Sequence, residues 1–228
     1  MATQNPTHQS LERLLRESPT LVHARISDHT KARLASAKQV NWASFKESLA
    51  DHPAELVEII AQILPLRQAI FWGLVCGEAC PTFGQGGTAA DSVRNCLRWA
   101  MNPQESLRKI AAQHADALPW KTAEGLLARA VAWSEGTIMP PHVPVFVPAP
   151  AGVTGHFVAG AVLTIASMTD VTVYNTILHS FIAIAEQIAD DQLLPAGWYL
   201  HQVADYSLIS PIPSTSFDTF PGIGDHFI

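Results

Sequence analysis

Apolar residues recur along this chain with the 3.6-residue period of helices. In PAELVEIIAQIL, from Pro53, they fall at Leu56, Ile59, Ile60 and Ile63, one stripe of an amphipathic helix with a proline in its first turn. Pro65 opens PLRQAIFWGLVCGEAC, which is apolar almost all round and predicts a helix at the centre of a bundle. Past a glycine-rich break at 84–87, Val93, Cys96, Leu97 and Ala100 line a helix ending near Met101. Asn102-Pro103-Gln104-Glu105 then has the form of a capping-box variant leading into a face of Leu107, Ile110 and Ala111. Pro119 is expected to start a further helix, with Trp120, Ala123, Leu127 and Ala130 inward and Gly136 as its stop.

Between Met139 and Gly155 the pattern changes to MPPHVPVFVPAPAGVTG. Five prolines exclude a helix and disfavour a central strand, which predicts an extended strap. A solvated linker would be polar, whereas this strap carries Val143, Val145, Phe146 and Val147. It is therefore expected to lie against the body or a partner. Helical periodicity returns at Phe157, Val158, Ala161, Val162, Ile165 and Met168. A last helix, opened by Asp170, buries Val173, Ile177, Phe181, Ile184 and Ile188 and stops before Pro195-Ala196-Gly197.

The predicted fold is all-α, a bundle of about seven to nine short helices crossed by the strap 139–155. Residues 1–40 read as a weakly patterned helical or partly flexible segment, and 41–197 as the core domain. Residues 198–228 form an apolar, proline-broken tail whose Phe217 and Phe220 are candidate contact residues.

Size and composition narrow the function classes. A chain of 228 residues is long enough to bury about 70% of its unfolded surface. Only 15% of residues are charged against 48% hydrophobic, which favours an oligomer or a partner-bound subunit over a free monomer. A net charge of −6 with scattered basic residues gives no footprint for nucleic acid. MATQNPTHQSLERLL has no basic region followed by an apolar core, so no secretory signal is expected, and the longest apolar run, Phe157 to Met168, is 12 residues, short of the ~20 a membrane span needs. Membrane association through the 155–190 helix pair, whose small residues Gly155, Ala159 and Gly160 would permit close packing, is a third reading. Three cysteines, an odd number, do not make a disulfide framework and fit a reducing cytoplasm.

Candidate chemistry is sparse. Cys76 and Cys80, four apart, could hold zinc with Cys96 and a histidine. No Cys-x-x-Cys pair is present, however, and small buried hydrophobes are the stronger reading. Gly84-Gln85-Gly86-Gly87-Thr88 lacks the leading strand and following lysine of a phosphate loop and reads as a helix connection. His142, His156, His179 and His201 obey no spacing rule, and Glu78 is the one acid inside the most apolar helix. No Gly-x-Ser-x-Gly elbow or His-Glu-x-x-His motif occurs, so neither catalytic residues nor cofactors nor metal ligands are assigned.

Three blocks carry a resemblance: Leu64-Pro65-Leu66-Arg67-Gln68-Ala69 with Trp72, Trp99 through Glu105, and Trp133-Ser134-Glu135-Gly136 through Pro141. Over roughly residues 55–170 the chain resembles a family of uncharacterised bacterial helical proteins often encoded near type VI secretion gene clusters. The resemblance implies a non-enzymatic scaffold or accessory role in that machine, with secretion components as protein partners. The alternative expectation is an enzyme or small-molecule binder with an inter-helix pocket near Glu78, His156 and His179.

Overall fold

The computed structural model describes residues 11–37, 41–139, 145–168 and 172–194. The described residues are all-helical, with ten α-helices and one 3-10 turn. In chain order these are α1 (Leu11–Glu17), the turn Pro19–His23, α2 (Asp28–Ala37), α3 (Trp42–Ser48), α4 (Pro53–Ile63) and α5 (Leu66–Glu78). There follow α6 (Gly87–Met101), α7 (Glu105–Ala117), α8 (Ala123–Ala132), α9 (Val153–Ser167) and α10 (Tyr174–Ala189). A single isolated bridge, Thr137 with Pro148, is the one extended pairing among these residues.

The most apolar segments sit where their patterns place them. In α4 and α5 the side chains from Leu56 to Cys76 are nearly all buried, with Trp72 and Phe71 fully enclosed. The polar edge of Trp72 still needs an acceptor, and its indole donates to the Phe181 carbonyl on α10 at 2.8 Å. The largest helix interfaces are α8 with α9 and α8 with α7, and α9 also lies along α4 and α5. Leu11, Leu15 and Ala24 from the N-terminal segment join the same hydrophobic core. Glu186 on α10 accepts from both Trp42 Nε1 and Lys46 Nζ at 2.6 Å, tying α3 to the last helix.

Local expectations fail at several helix ends. Trp120 is not inward. Residue 119 does not begin α8, which starts at Ala123 with Thr122 as its N-cap, and Trp120 is left 61% exposed. No capping box forms at Asn102 either, because Asn102 closes α6 by donating to the Arg98 carbonyl. Gln104 takes the N-cap position of α7 without a side-chain bond, and Glu105 instead engages Arg108 at 2.6 Å. Ile110 and Met168, expected to bury, are exposed. Cys80 lies past the end of α5 rather than on it. Residues 153–155 of the expected strap form the first turn of α9. Val143, Asp170, His142, His201, Phe217 and Phe220 lie outside the described residues.

Arg129 is the structural key of the α7–α8 corner. The side chain is 4% exposed, and its guanidinium donates to the carbonyls of Gly125 (2.8 Å), Leu118 (3.1 Å) and Ala115. It also lies 3.9 Å from the centroid of the Trp120 ring. Replacing Arg129 with Met keeps volume but strands those carbonyls, at a cost of about 2–4 kcal/mol. A urea midpoint for Arg129→Met equal to the parent's would refute this assignment.

Candidate functional site

The strap is fixed at its base. The Ile138 amide donates to the Val147 carbonyl at 2.9 Å, while the amides of Val147 and Met139 both donate to Thr137 Oγ1 at 3.0 and 3.1 Å. Thr137 follows directly from the turn that ends α8, so the strap is anchored to the body on its incoming side. On the outgoing side it enters α9 at Gly152. Gly152 has φ +76°, and a Cβ there would lie 2.5 Å from His23 Cβ. At Gly155 a Cβ would lie 2.6 Å from Gln62 Cδ, so both positions let α9 close onto α4 and the 3-10 turn.

Between these anchors the apolar residues point away from the body. Val145 is 54% exposed and Phe146 69% exposed, with Val147 half-buried. The burial expected of the strap is therefore not made against the chain's own described residues. Beside the strap base stands an aromatic group built by three elements. Trp133, which follows α8, meets Phe157 of α9 at 5.1 Å between ring centroids, and exposed Trp120 packs on both at 6.4 and 6.0 Å. Neither sequence periodicity nor any motif isolates this group, since Trp120 belongs to a loop that resembled a helix start.

Beneath the strap's outgoing limb lies a cleft of about 310 Å³, lined by Gln62, Trp133, Ser134, Pro150 and Thr154 among others. Gln62 forms its floor and is fully engaged in joining elements. Its amide donates to the Gly152 carbonyl at 2.9 Å, and its main-chain carbonyl accepts from Ser18 at 3.1 Å and from Thr20. His156 Nδ1 lies 3.4 Å from both Gln62 Nε2 and Glu58 Oε2. Burial pushes the Glu58 carboxyl above its ordinary range, outweighing the opposing charges of His156 and Arg25. The nearby hydroxyls of Ser18 and Thr20 are turned to Gln62 rather than to the imidazole, so the cluster works as a polar joint between α4, α9 and the 3-10 turn.

The three residues of the expected pocket do not converge. Glu78 is exposed at the end of α5, near Cys80, whose sulfur is 3.9 Å from that of Met168 at the far end of α9. Met168 is twelve residues along α9 from His156, about 18 Å of helix. His179 is exposed on α10. The carboxyl of Glu78 is raised by partial desolvation alone.

Cys76, Cys80 and Cys96 are all buried free thiols, and among the described residues no group of three or more His, Cys, Asp or Glu could hold a metal ion. The glycine-rich turn is occupied from within the fold, its Gly84 amide donating to Glu124 Oε1 at 2.8 Å. No helix among these residues is long and apolar enough to cross a membrane.

Two measurements probe these environments. In the fold Glu58 holds its proton more tightly than in the unfolded chain, so its contribution favours the fold at low pH and is lost as pH rises through the folded pKa. Glu58→Gln should remove that component, so its stability should gain on the parent's as pH rises through and above the ordinary carboxylate range, read by urea melts. Parallel profiles would refute it. Burial raises the Cys96 thiol to about 12 and the Cys76 thiol well above its usual range. Both should resist iodoacetamide in the native protein at pH 8 and react in denaturant, and mass-spectrometric labelling of the folded form at these sites would contradict the packing described.

No curated protein and no solved structure matches the chain. Residues 47–189 match the model of a family described as a family of unknown function, DUF6931, and the chain belongs to that family.

Proposed function

We propose that this protein is a non-enzymatic interaction protein, an accessory component associated with bacterial type VI secretion, working in the cytoplasm. The observation that carries the reading is the outward presentation of Val145 and Phe146, 54% and 69% exposed, on a strap pinned at both limbs. Pre-ordered aromatic and aliphatic side chains bind with little entropy loss, and exposed aromatics of this kind are typical interface anchors. Trp120 adds a second exposed aromatic, held rigid by Arg129, Trp133 and Phe157. Buried free thiols fit a reducing compartment. The occupant of the strap surface is a protein of the secretion apparatus, approached through an apolar face of its own.

Val145→Ser/Phe146→Ser should stay within about 0.5 kcal/mol of the parent in stability, because both side chains are already in water. The same variant should lose capture of secretion components in pulldowns from cells expressing the secretion cluster. Undiminished capture would sink the reading. Light scattering after size exclusion tests whether a second copy takes the surface, and a clean monomer at micromolar concentration removes self-association.

A further inference from the structure

Between α1 and α2 the loop from Ser18 to Ser27 crosses the outer face of α4, and little apolar burial holds it there. Of its residues, all among those described, only Ala24 is buried, with Leu21 and Ile26 partly covered and Val22 81% exposed. On its far side the loop lines an apolar groove against α1 and α2. What fastens the loop is a row of hydrogen bonds to α4, where Glu55, Glu58 and Gln62 follow one another along one face. All the donors come from the loop. Ser18 Oγ at 3.1 Å and Thr20 Oγ1 donate to the Gln62 carbonyl. The Arg25 amide donates to the Glu58 carboxylate, and the Ser27 amide and hydroxyl donate to Glu55 Oε2 at 3.0 and 3.1 Å. Both ends of the loop are held separately. Leu11 and Leu15 bury α1 in the core, while on α2 Thr30 is buried and Arg33 donates to the Ser48 carbonyl. The loop can therefore lift while the helices stay.

Two of its acceptors titrate, and their surroundings drive them apart. Glu58 is enclosed between the loop and α9, its side chain 15% exposed, and desolvation pushes its carboxyl up against the opposing charges of His156 and Arg25. At Glu55, one turn earlier, desolvation is outweighed by the hydrogen bonds of Thr30 and Ser27 and by the charge of His52, so its carboxyl is lowered. Also beside these contacts stand His23, packed against Gly152, and His29, whose ring meets that of His52 edge-on at 6.3 Å between centroids.

We propose that the loop Ser18–Ser27 is a lid over α4 and the cleft beneath the strap, closed most firmly when Glu55 is ionised and Glu58 keeps its proton. The closed lid holds the Glu58 proton more tightly than the open one, so opening increases as pH rises through and above the ordinary carboxylate range. It holds the Glu55 proton less tightly, so opening also increases as pH falls through that range. At neutral pH the lid is in its looser state, and mild acid tightens it. Thr20 is part of the wall of the cleft, so lifting the loop widens the cleft and bares Gln62, Glu58 and His156.

Amide hydrogen exchange on the full chain, read by NMR from about pH 4 to 8 as protection relative to amides of α8, tests the lid. In the parent the Ala24, Arg25 and Ser27 amides are expected to lose protection together on both sides of the ordinary carboxylate range. Glu58→Gln still offers the Arg25 amide an acceptor and is expected to abolish the loss on the alkaline side, whereas Glu55→Gln is expected to abolish the loss on the acid side. Protection in the parent that does not change with pH overturns the proposal. So does a change confined to Arg25, which would make Glu58 a local hydrogen-bond partner only, or an alkaline loss that persists in Glu58→Gln. Should Glu58→Gln lose protection throughout, Glu55→Gln decides: an acid-side loss equal to the parent's overturns the lid.

Discussion

The corner between α7, α8 and α9 depends on one buried cation. Arg129 makes no ion pair within 4 Å among the described residues, and its desolvation lowers its pKa. A guanidinium so placed is tolerable only where acceptors are dense. The end of α7 supplies them: the Ala115 and Leu118 carbonyls lie at the negative pole of that helix, and the Gly125 carbonyl comes from one turn earlier in α8. The π face of Trp120 covers a further side. One side chain thereby caps α7, fixes the α7–α8 loop and holds Trp120 against Trp133 and Phe157. The same interaction that satisfies the charge leaves an aromatic ring facing solvent.

Arginine plays this part more than once. Arg67 closes α6 by donating to the carbonyls of Ala100 and Met101 at 2.7 Å, and Arg108 reaches the Ala132 carbonyl at the end of α8 at 2.6 Å. Five donors on a planar fork suit the clustered carbonyls of a helix end better than any neutral side chain does. In a chain with so few charges, several of its cations are thus engaged inside the scaffold rather than on its surface. The surface is therefore poorer in positive charge than composition alone suggests.

The bundle was legible in the sequence because burial is periodic. The stripes of α4 and α10 and the all-round apolar α5 appear in the structure as the core. Helix ends were harder to read, because they depend on which carbonyl a distant side chain reaches. Pro119-Trp120 looked like a helix start, yet Arg129 holds that tryptophan in the loop. Asn102 to Glu105 looked like a capping box, yet Arg108 takes the glutamate. The candidate surface was half legible. Proline spacing marked the strap as extended, but nothing local could say that Val145 and Phe146 face outward, since that follows from the pins at Thr137, Gly152 and Gln62.

The residues that carry the sequence resemblance are engaged within the fold. Arg67 caps α6, Trp72 bonds across to α10, Trp99 is buried, and Trp133 joins the aromatic group under the strap. A signature of this kind specifies how helices meet. The large apolar side chains that the scaffold holds without covering include Phe146, Val145, Trp120 and, in the N-terminal segment, Val22. Two such surfaces, one beside α8 and α9 and one beside α1 and α2, are built from different elements with different lining chemistry. The strap surface has aromatic anchors with an arginine behind them, whereas the N-terminal groove has aliphatic walls and cations at its border. Surfaces so different in chemistry call for different occupants.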